Sequence, residues 1–94
     1  MKYVLVNHKV EDYDKWKSDF DEGKTMLKDM GAKSSFIFRT EEDPNHLFVL
    51  TQWENLQKAK NFAESDDLRT AMKKAGVTGQ IQINFLEEIE RTTY

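Results

Sequence analysis

The sequence predicts a single small α+β domain with one four-stranded antiparallel sheet, in the order strand, helix, strand, strand, helix, strand. Its 94 residues suffice for one domain and leave no room for a second. Four segments of strand length are rich in β-branched and aromatic residues, and two longer regions repeat apolar residues at helical spacing. Two right-handed βαβ crossovers on one antiparallel sheet produce the ferredoxin-like (βαββαβ) layout.

The first strand is predicted at Lys2–Val10, a short segment dominated by β-branched and aromatic residues. Successive side chains point to opposite faces of a strand. One face carries Val4, Val6, His8 and Val10, and the other carries Tyr3, Leu5, Asn7 and Lys9. Both faces are apolar over the first half, which is typical of a strand covered on both sides.

A helix is predicted after this strand, with Asp12 as its N-cap and Gly31 as the residue that ends it. Apolar residues three, four and seven apart form one stripe along it: Tyr13, Trp16, Phe20, Leu27 and Met30. Gly23 falls within this stripe, and we expect the helix to continue through it.

The second and third strands, Ser34–Thr40 and Leu47–Glu54, form a predicted antiparallel hairpin. The turn between them contains Pro44, which fixes φ, and Asn45, which favours local hydrogen bonds. The connection is too short for a crossover, so the strands are expected to pair directly.

The second helical region is predicted in two pieces, followed by a last strand at Gln80–Glu90 and a polar tail. Asn55 or Glu54 caps the first piece. Ser65 caps the second piece, whose first turn contains two acidic residues that the helix dipole favours. Gly76 ends this second piece.

The composition argues against several classes of function. The formal net charge is −3 and the pI is about 5.4, with lysines interleaved among acids, so no basic stripe exists for a nucleic-acid backbone. The absence of cysteine removes disulfides, thiolate catalysis and sulfur-ligated metals. Two histidines are too few to favour another metal site, and no cofactor is expected.

No segment is expected to be a leader peptide or a membrane span. The apolar stretch at the N-terminus is too short for a signal peptide, and no apolar run approaches the ~20 residues of a spanning helix. The sequence therefore predicts a cytoplasmic protein without membrane association.

Apolar residues at both parities of the strands predict a homodimer. Helices of a βαββαβ domain cover only one face of the sheet, yet in the third strand Phe48 and Leu50 alternate with Val49 and Trp53. The uncovered face would be a large exposed apolar patch, and such patches usually mark interfaces. We expect a second copy to cover it, sheet against sheet, so that the two sheets close into a shared barrel.

His8 is the strongest candidate for a catalytic side chain. An imidazole on the apolar face of a strand is either a satisfied core residue or a proton carrier that lines a cavity. Asn7 points the other way and is a candidate to hydrogen-bond a ligand carbonyl or a strand end.

A small-molecule pocket between helix and sheet is a further prediction. Besides Asn7, its candidate ligand-binding residues are Trp16, Phe20, Arg39 and Trp53. Aromatic walls with one or two polar groups are typical of such pockets. Arg39 would hold an anionic group, unless it is a rim or ion-pair residue, and Trp53 would lie near the mouth. The alternative is that the aromatic residues form the core and the dimer interface.

A set of short segments spans nearly the whole chain: Val6–Val10, Tyr13–Lys17, Phe20–Asp21, Phe38–Thr40, Asp43–Asn45, Leu56–Lys60, Ser65–Arg69, Ala71–Val77 and Phe85–Glu87. These segments resemble a family of small bacterial and archaeal proteins labelled cyclase-like or dimeric α/β-barrel proteins, close to the antibiotic-biosynthesis-monooxygenase group. The resemblance implies a dimeric α+β barrel.

The wider group contains cofactor-free monooxygenases on polycyclic aromatics, haem degraders and polyketide cyclases. The cofactor-free oxygenases use an Asn and a Trp near the pocket, and Asn7 with Trp16 or Trp53 are similar in type. The resemblance thus implies a cofactor-free monooxygenase-like or cyclase-like enzyme on an aromatic or polyketide-like substrate. The alternative is a non-catalytic homodimeric ligand-binding or structural module.

Overall fold

The computed structural model describes residues 1–94 as a four-stranded antiparallel sheet with four helices. Its elements are β1 (Lys2–Val10), α1 (Tyr13–Glu22), α2 (Lys24–Met30), β2 (Ala32–Arg39), β3 (His46–Trp53), α3 (Leu56–Ala63), α4 (Asp66–Lys74) and β4 (Val77–Glu87). The strand order is β2-β3-β1-β4, and every neighbouring pair is antiparallel. The predicted ferredoxin-like topology is confirmed.

The helix ends lie where the sequence predicts them. The side chains of Asp12, Asn55 and Ser65 each accept a hydrogen bond from a backbone N–H in the first turn of α1, α3 and α4. Gly31 and Gly76 follow the ends of α2 and α4 with φ of 111° and 80°. Glycine adopts this left-handed conformation without the steric cost that a Cβ atom brings.

The continuous helix predicted over 13–30 is wrong, because Gly23 divides it into α1 and α2. The Gly23 N–H bonds to the carbonyl of Asp19 at 3.2 Å and to that of Phe20 at 3.0 Å, so the last turn of α1 tightens there. Glycine is a poor helix former, which makes this position the easiest place for a break.

The predicted strand boundaries are displaced by a few residues. β2 and β3 each begin slightly earlier than predicted, and β4 spans Val77–Glu87 rather than Gln80–Glu90. Strand β1 decides the bounds of β4. Val77, the first residue of β4, pairs with Val10 at the end of β1, and Glu87, its last residue, pairs with Lys2 at the beginning of β1.

A bulge interrupts the pairing of β1 with β4. The pairs on either side of it are Asn7–Gln82 and Lys9–Thr78. Three residues of β4 therefore lie opposite the single residue His8. One of the three, Gly79, has φ of 69°, which explains a glycine at this point.

The core lies between the helices and one face of the sheet, which we call the helix-facing side. Val4, Leu47 and Trp53 are fully buried there. Trp53 packs against Phe62 of α3 with ring centroids 4.9 Å apart. The strand residues buried with the helices are of one parity, as strand geometry requires.

The opposite side of the sheet, which we call the open face, is apolar and largely uncovered. Phe36 and Phe38 are 47% and 55% exposed. Strand pairing places Phe36, Leu50 and Leu5 in one row across three strands, and Phe38 beside Phe48 in the next. These five residues form what we call the open-face patch.

Neither a metal-binding cluster nor a membrane-spanning helix occurs in residues 1–94. No group of three or more histidine or acidic side chains is arranged to hold a metal ion. No helix is long and apolar enough to cross a membrane.

Candidate functional site

An apolar cavity lies between the helices and the helix-facing side of the sheet. Its volume is about 90 Å³, and it is partly open to solvent. Two strands and all four helices contribute to its wall, which consists of Val6, His8, Trp16, Asp19, Phe20, Gly23, Met26, Leu27, Val49, Thr51, Phe62, Leu68, Ala71, Met72 and Ala75. Small-molecule sites are usually apolar cavities with few polar groups, and this one has that lining but is smaller than the roughly 300–1,000 Å³ typical of drug-sized ligands.

His8 places an imidazole in this apolar wall. Strand alternation turns it toward the helices, where only 4% of the residue is exposed. Its ring meets that of Trp16 in an edge-on arrangement, with centroids 5.9 Å apart and an interplanar angle of 61°. Its Nδ1 is the one buried side-chain nitrogen or oxygen in the molecule without a hydrogen-bond partner. An unpaired buried polar group costs roughly 1–3 kcal/mol of stability.

Burial lowers the pKa of His8 below its ordinary value, because the charged imidazolium would lose its hydration. An interaction with the residue's own backbone opposes this effect, and the His46 imidazole adds to the lowering. The ring is therefore neutral at pH 7, and a neutral imidazole can accept a proton from a ligand.

Trp16 and Phe20 form the aromatic part of the wall. They lie one turn apart on α1, so the helix brings both to the same face. Their rings stack with centroids 5.1 Å apart and an interplanar angle of 23°. Aromatic surfaces of this kind favour a planar apolar ligand.

The other two polar side chains in the wall already have partners. Thr51 Oγ1 accepts a hydrogen bond from Trp53 Nε1 at 2.8 Å. Asp19 accepts one from Lys15 Nζ at 2.9 Å, and this bond lowers the pKa of the Asp19 carboxyl. His8 is consequently the titratable side chain of the wall that lacks a hydrogen-bond partner at a buried atom.

The structure brings three of the predicted site residues together, namely His8, Trp16 and Phe20. The other three do not line this cavity. Asn7 lies on the open face and bonds His46 Nε2 at 2.6 Å. The Arg39 guanidinium lies 4.8 Å from the centroid of the Tyr13 ring. Trp53 lies in the core behind Thr51. Ligand binding by these three residues stays a prediction.

Sequence reasoning did not identify Asp19, Thr51 or the two methionines, Met26 and Met72, as part of the wall. Asp19 lies three residues after Trp16 and thus borders the apolar stripe, but an acidic side chain at that position gives no sign of a cavity. Met26 and Met72 come from different helices, and no sequence pattern shows that their helices meet at one cavity.

Solved structures of low sequence identity share this fold. A Bordetella bronchiseptica protein provisionally named an antibiotic biosynthesis monooxygenase superposes with a TM-score of 0.78 at 13% identity, over 95% of this chain and 97% of that one. SnoaB, a cofactor-independent oxygenase from Streptomyces nogalater, gives 0.75 at 12% identity, over 96% and 95%. A conserved protein from Methanosarcina mazei Go1 gives 0.63 at 15% identity, over 93% and 91%.

The sequence matches no protein-family model and no curated protein. The structural likeness extends over nearly the full length of each chain, but at such identities it establishes the fold and not the reaction. At the level of fold, the resemblance noted in the sequence is confirmed. The chain has the ferredoxin-like α+β fold of the antibiotic biosynthesis monooxygenases.

Proposed function

We propose that this protein is a cofactor-free, oxygenase-like enzyme that binds an aromatic or polyketide-like substrate in the apolar cavity, with His8 as its base. The observation that carries the proposal is the buried, unpaired Nδ1 of His8 in a wall that is otherwise apolar or satisfied. A ligand that supplies the missing partner would remove the cost of leaving this nitrogen unpaired, and because Nδ1 exposes less than 1 Å² the imidazole ring must turn for the two to meet. The fold shared with a cofactor-independent oxygenase supports the same reaction class.

The wall defines the substrate that fits it. Stacked Trp16 and Phe20 favour a planar apolar body. The unpaired nitrogen of His8 favours a hydroxyl or an acidic C–H at that end of the substrate. The flexible side chains of Met26 and Met72 can adapt to ligands of different shape.

The reaction needs only the substrate, dioxygen and a base. Neutral His8 accepts a proton from an acidic methylene or phenol, and the resulting anion is electron-rich enough to reduce dioxygen. The methylene loses two hydrogens and gains one oxygen atom as a carbonyl, while the second oxygen atom leaves as water. The substrate is the reductant and dioxygen the oxidant, so the electrons balance without a cofactor.

The proposal includes a homodimer that forms through the open-face patch, in a cytoplasmic setting. Two half-exposed phenylalanines next to each other on an uncovered sheet are more apolar surface than a small monomer normally leaves in water. A second copy of the same patch is the simplest occupant, because a twofold axis pairs a surface with itself.

The binding step is tested by two probes that differ in one hydrogen-bond donor, 1-naphthol and its methyl ether. We expect wild-type protein to bind 1-naphthol about tenfold more tightly, because only the phenol pairs with His8. In His8→Leu the two probes should bind equally. Tryptophan fluorescence and thermal shift give the affinities. Equal affinity in the wild type would contradict the assignment of His8.

Catalysis is tested with a hydroxylated anthrone in an oxygen electrode. Uptake of dioxygen that depends on His8, with formation of the corresponding quinone, would support the enzyme. If 1-naphthol binding depends on His8 but no oxygen is consumed, the cavity belongs to a non-catalytic ligand-binding module, which is the second candidate function. That candidate is favoured by the small number of free polar groups in the wall.

A further inference from the structure

A second concave site lies on the open face, where β4 bulges away from β1. Its volume is about 260 Å³, and its lining contains neither an apolar nor an acidic residue. The side chains that matter are those of Asn7, Lys9, His46, Thr78, Gln80 and Gln82. We call this site the polar recess. It shares His8 with the apolar cavity, but the proposed oxygenase reaction makes no use of it.

Backbone geometry creates the recess. Lys9 pairs with His46 on one side and with Thr78 on the other, so all three project from the open face. The three residues of the bulge, 79–81, have no partner in β1 and lie opposite His8. A Cβ atom at Gly79 would have no neighbour within 4 Å, which shows that space is open at the bulge.

Part of the recess is held in place by its own hydrogen bonds. Asn7 Nδ2 donates to Gln82 Oε1 at 3.2 Å, and Asn7 Oδ1 lies 2.6 Å from His46 Nε2. Since Asn7 Oδ1 can only accept, His46 Nε2 is the donor of this hydrogen bond. The Asn7 amide thereby holds the side chains of His46 and Gln82 in place. The amide oxygen of Gln82 already accepts a hydrogen bond and leaves its NH₂ group free.

The remaining polar atoms are mostly donors without partners. Lys9 takes part in none of the ion pairs of the molecule, and the side chains of Thr78 and Gln80 form no hydrogen bond. With one cation, several N–H and O–H donors and no carboxylate in the lining, the recess is electrostatically suited to an anion with several oxygens.

We propose that the polar recess binds the phosphate group of a small molecule, through the Lys9 ammonium and the donors of Thr78, Gln80 and Gln82. A phosphate presents oxygens in several directions, which matches donors that converge from two strands. Free phosphate and a phosphate monoester share this chemistry. The recess lies beside the open-face patch, because His46 stacks on Phe48 at 5.2 Å between ring centroids.

The test is an NMR titration of the full chain with inorganic phosphate, and in a second arm with phenyl phosphate, at constant ionic strength set by potassium chloride. We expect saturable shifts of the backbone amides of residues 78–82. Lys9→Gln should weaken binding about tenfold, because a charge-assisted contact is lost. Gln80→Ala, which keeps the charge, should weaken it less. Tighter binding of one probe identifies the source of the phosphate group.

Lys60→Gln is the matched control, because Lys60 is an exposed lysine of α3 that lies outside the recess and the substitution removes the same charge. This variant should bind phosphate like the wild type. Equal weakening by Lys9→Gln and Lys60→Gln would mean that phosphate responds only to net charge and would overturn the proposal. The absence of saturable shifts at residues 78–82 would overturn it as well.

Discussion

Among single residues, His8 occupies a position that lowers the stability of the fold and that the proposed function assigns to ligand binding. Its Nδ1 is buried without a partner, and its neighbours in the cavity wall are apolar. Replacement of an unpaired polar group by an apolar one of similar size removes a desolvation cost. Packing therefore does not explain an imidazole at this point of β1, whereas the proposed function would.

We predict that His8→Leu raises the free energy of unfolding by about 1 kcal/mol at pH 7.5. The gain should grow as the pH falls. Because folding lowers the pKa of His8, the unfolded chain takes up its proton first near pH ~6.5, and the wild type loses stability from there down to the folded pKa. Urea unfolding of both proteins between pH 7.5 and 5.5 measures the difference.

His46→Leu is the matched control for this experiment. His46 is the second imidazole of the chain, but its Nε2 is bonded to Asn7 Oδ1. Removal of a satisfied imidazole should bring no gain in stability at pH 7.5. Similar gains at His8 and His46 would show that the effect follows from loss of any histidine, and not from the unpaired nitrogen.

Strand alternation assigned the residues of β1 correctly to two faces, and thereby placed His8 with the apolar residues and Asn7 opposite. It could not show which face the helices cover, since both faces carry apolar side chains. The positions of Trp53 and Arg39 relative to the cavity depend on which face of the sheet the helices cover and on which side chains reach the cavity. These details come from tertiary packing, and local pattern contains no information on them.

Helix α4 contributes as many wall residues to the cavity as α1, since four of them lie on it or directly follow it: Leu68, Ala71, Met72 and Ala75. Its start is fixed by Ser65, whose Oγ accepts from the Leu68 N–H at 3.1 Å and donates to the Phe62 carbonyl at 2.8 Å. One hydroxyl thus joins the end of α3 to the beginning of α4.

We predict that Ser65→Ala lowers the free energy of unfolding by about 1 kcal/mol, as is usual for the loss of an N-cap. Ser65→Thr should retain most of the stability, because its hydroxyl can form the same two bonds. Ser35→Ala, an exposed position in β2, is the control and should change stability by less than about 0.5 kcal/mol. Chemical denaturation followed by circular dichroism compares the three variants. Equal losses at Ser65 and Ser35 would contradict the role of the cap.

Caps and terminating glycines could be predicted from sequence because they act within a few residues. The order of the elements and the hairpin followed from the same local signals. The break at Gly23 could not, since glycine is tolerated inside helices and only packing decides whether the axis bends there. The bounds of β4 were missed for a similar reason, because they depend on the distant strand β1.

For the molecule as a whole, the open-face patch is the feature that a monomer does not explain. Its five apolar side chains lie in adjacent rows of three strands, on the side of the sheet away from the helices. Burial of this apolar surface against a second copy would stabilise the fold at roughly 25 cal/mol per Å² covered. A small domain buries a smaller fraction of its surface on folding than a large one, so burial of this patch adds proportionally more to its stability.

We predict that the wild-type protein sediments as a dimer at micromolar concentration and that Phe38→Asp shifts it to monomer. A carboxylate at the centre of an apolar interface would have to be desolvated without a partner. The control is Ile89→Asp, because Ile89 is 87% exposed and lies outside the sheet. A monomeric wild type, or equal effects of both variants, would contradict the dimer.

The pairing of β1 with β4 has a consequence for the synthesis of the chain. Strand β1 takes its second neighbour from β4, which follows it much later in the chain, since Lys2 pairs with Glu87. Until the final strand is made, one edge of β1 has no hydrogen-bond partners, and such an edge invites pairing with another chain. A message truncated before Val77 should therefore yield an aggregating product, and the sheet can be completed only after β4 has been translated.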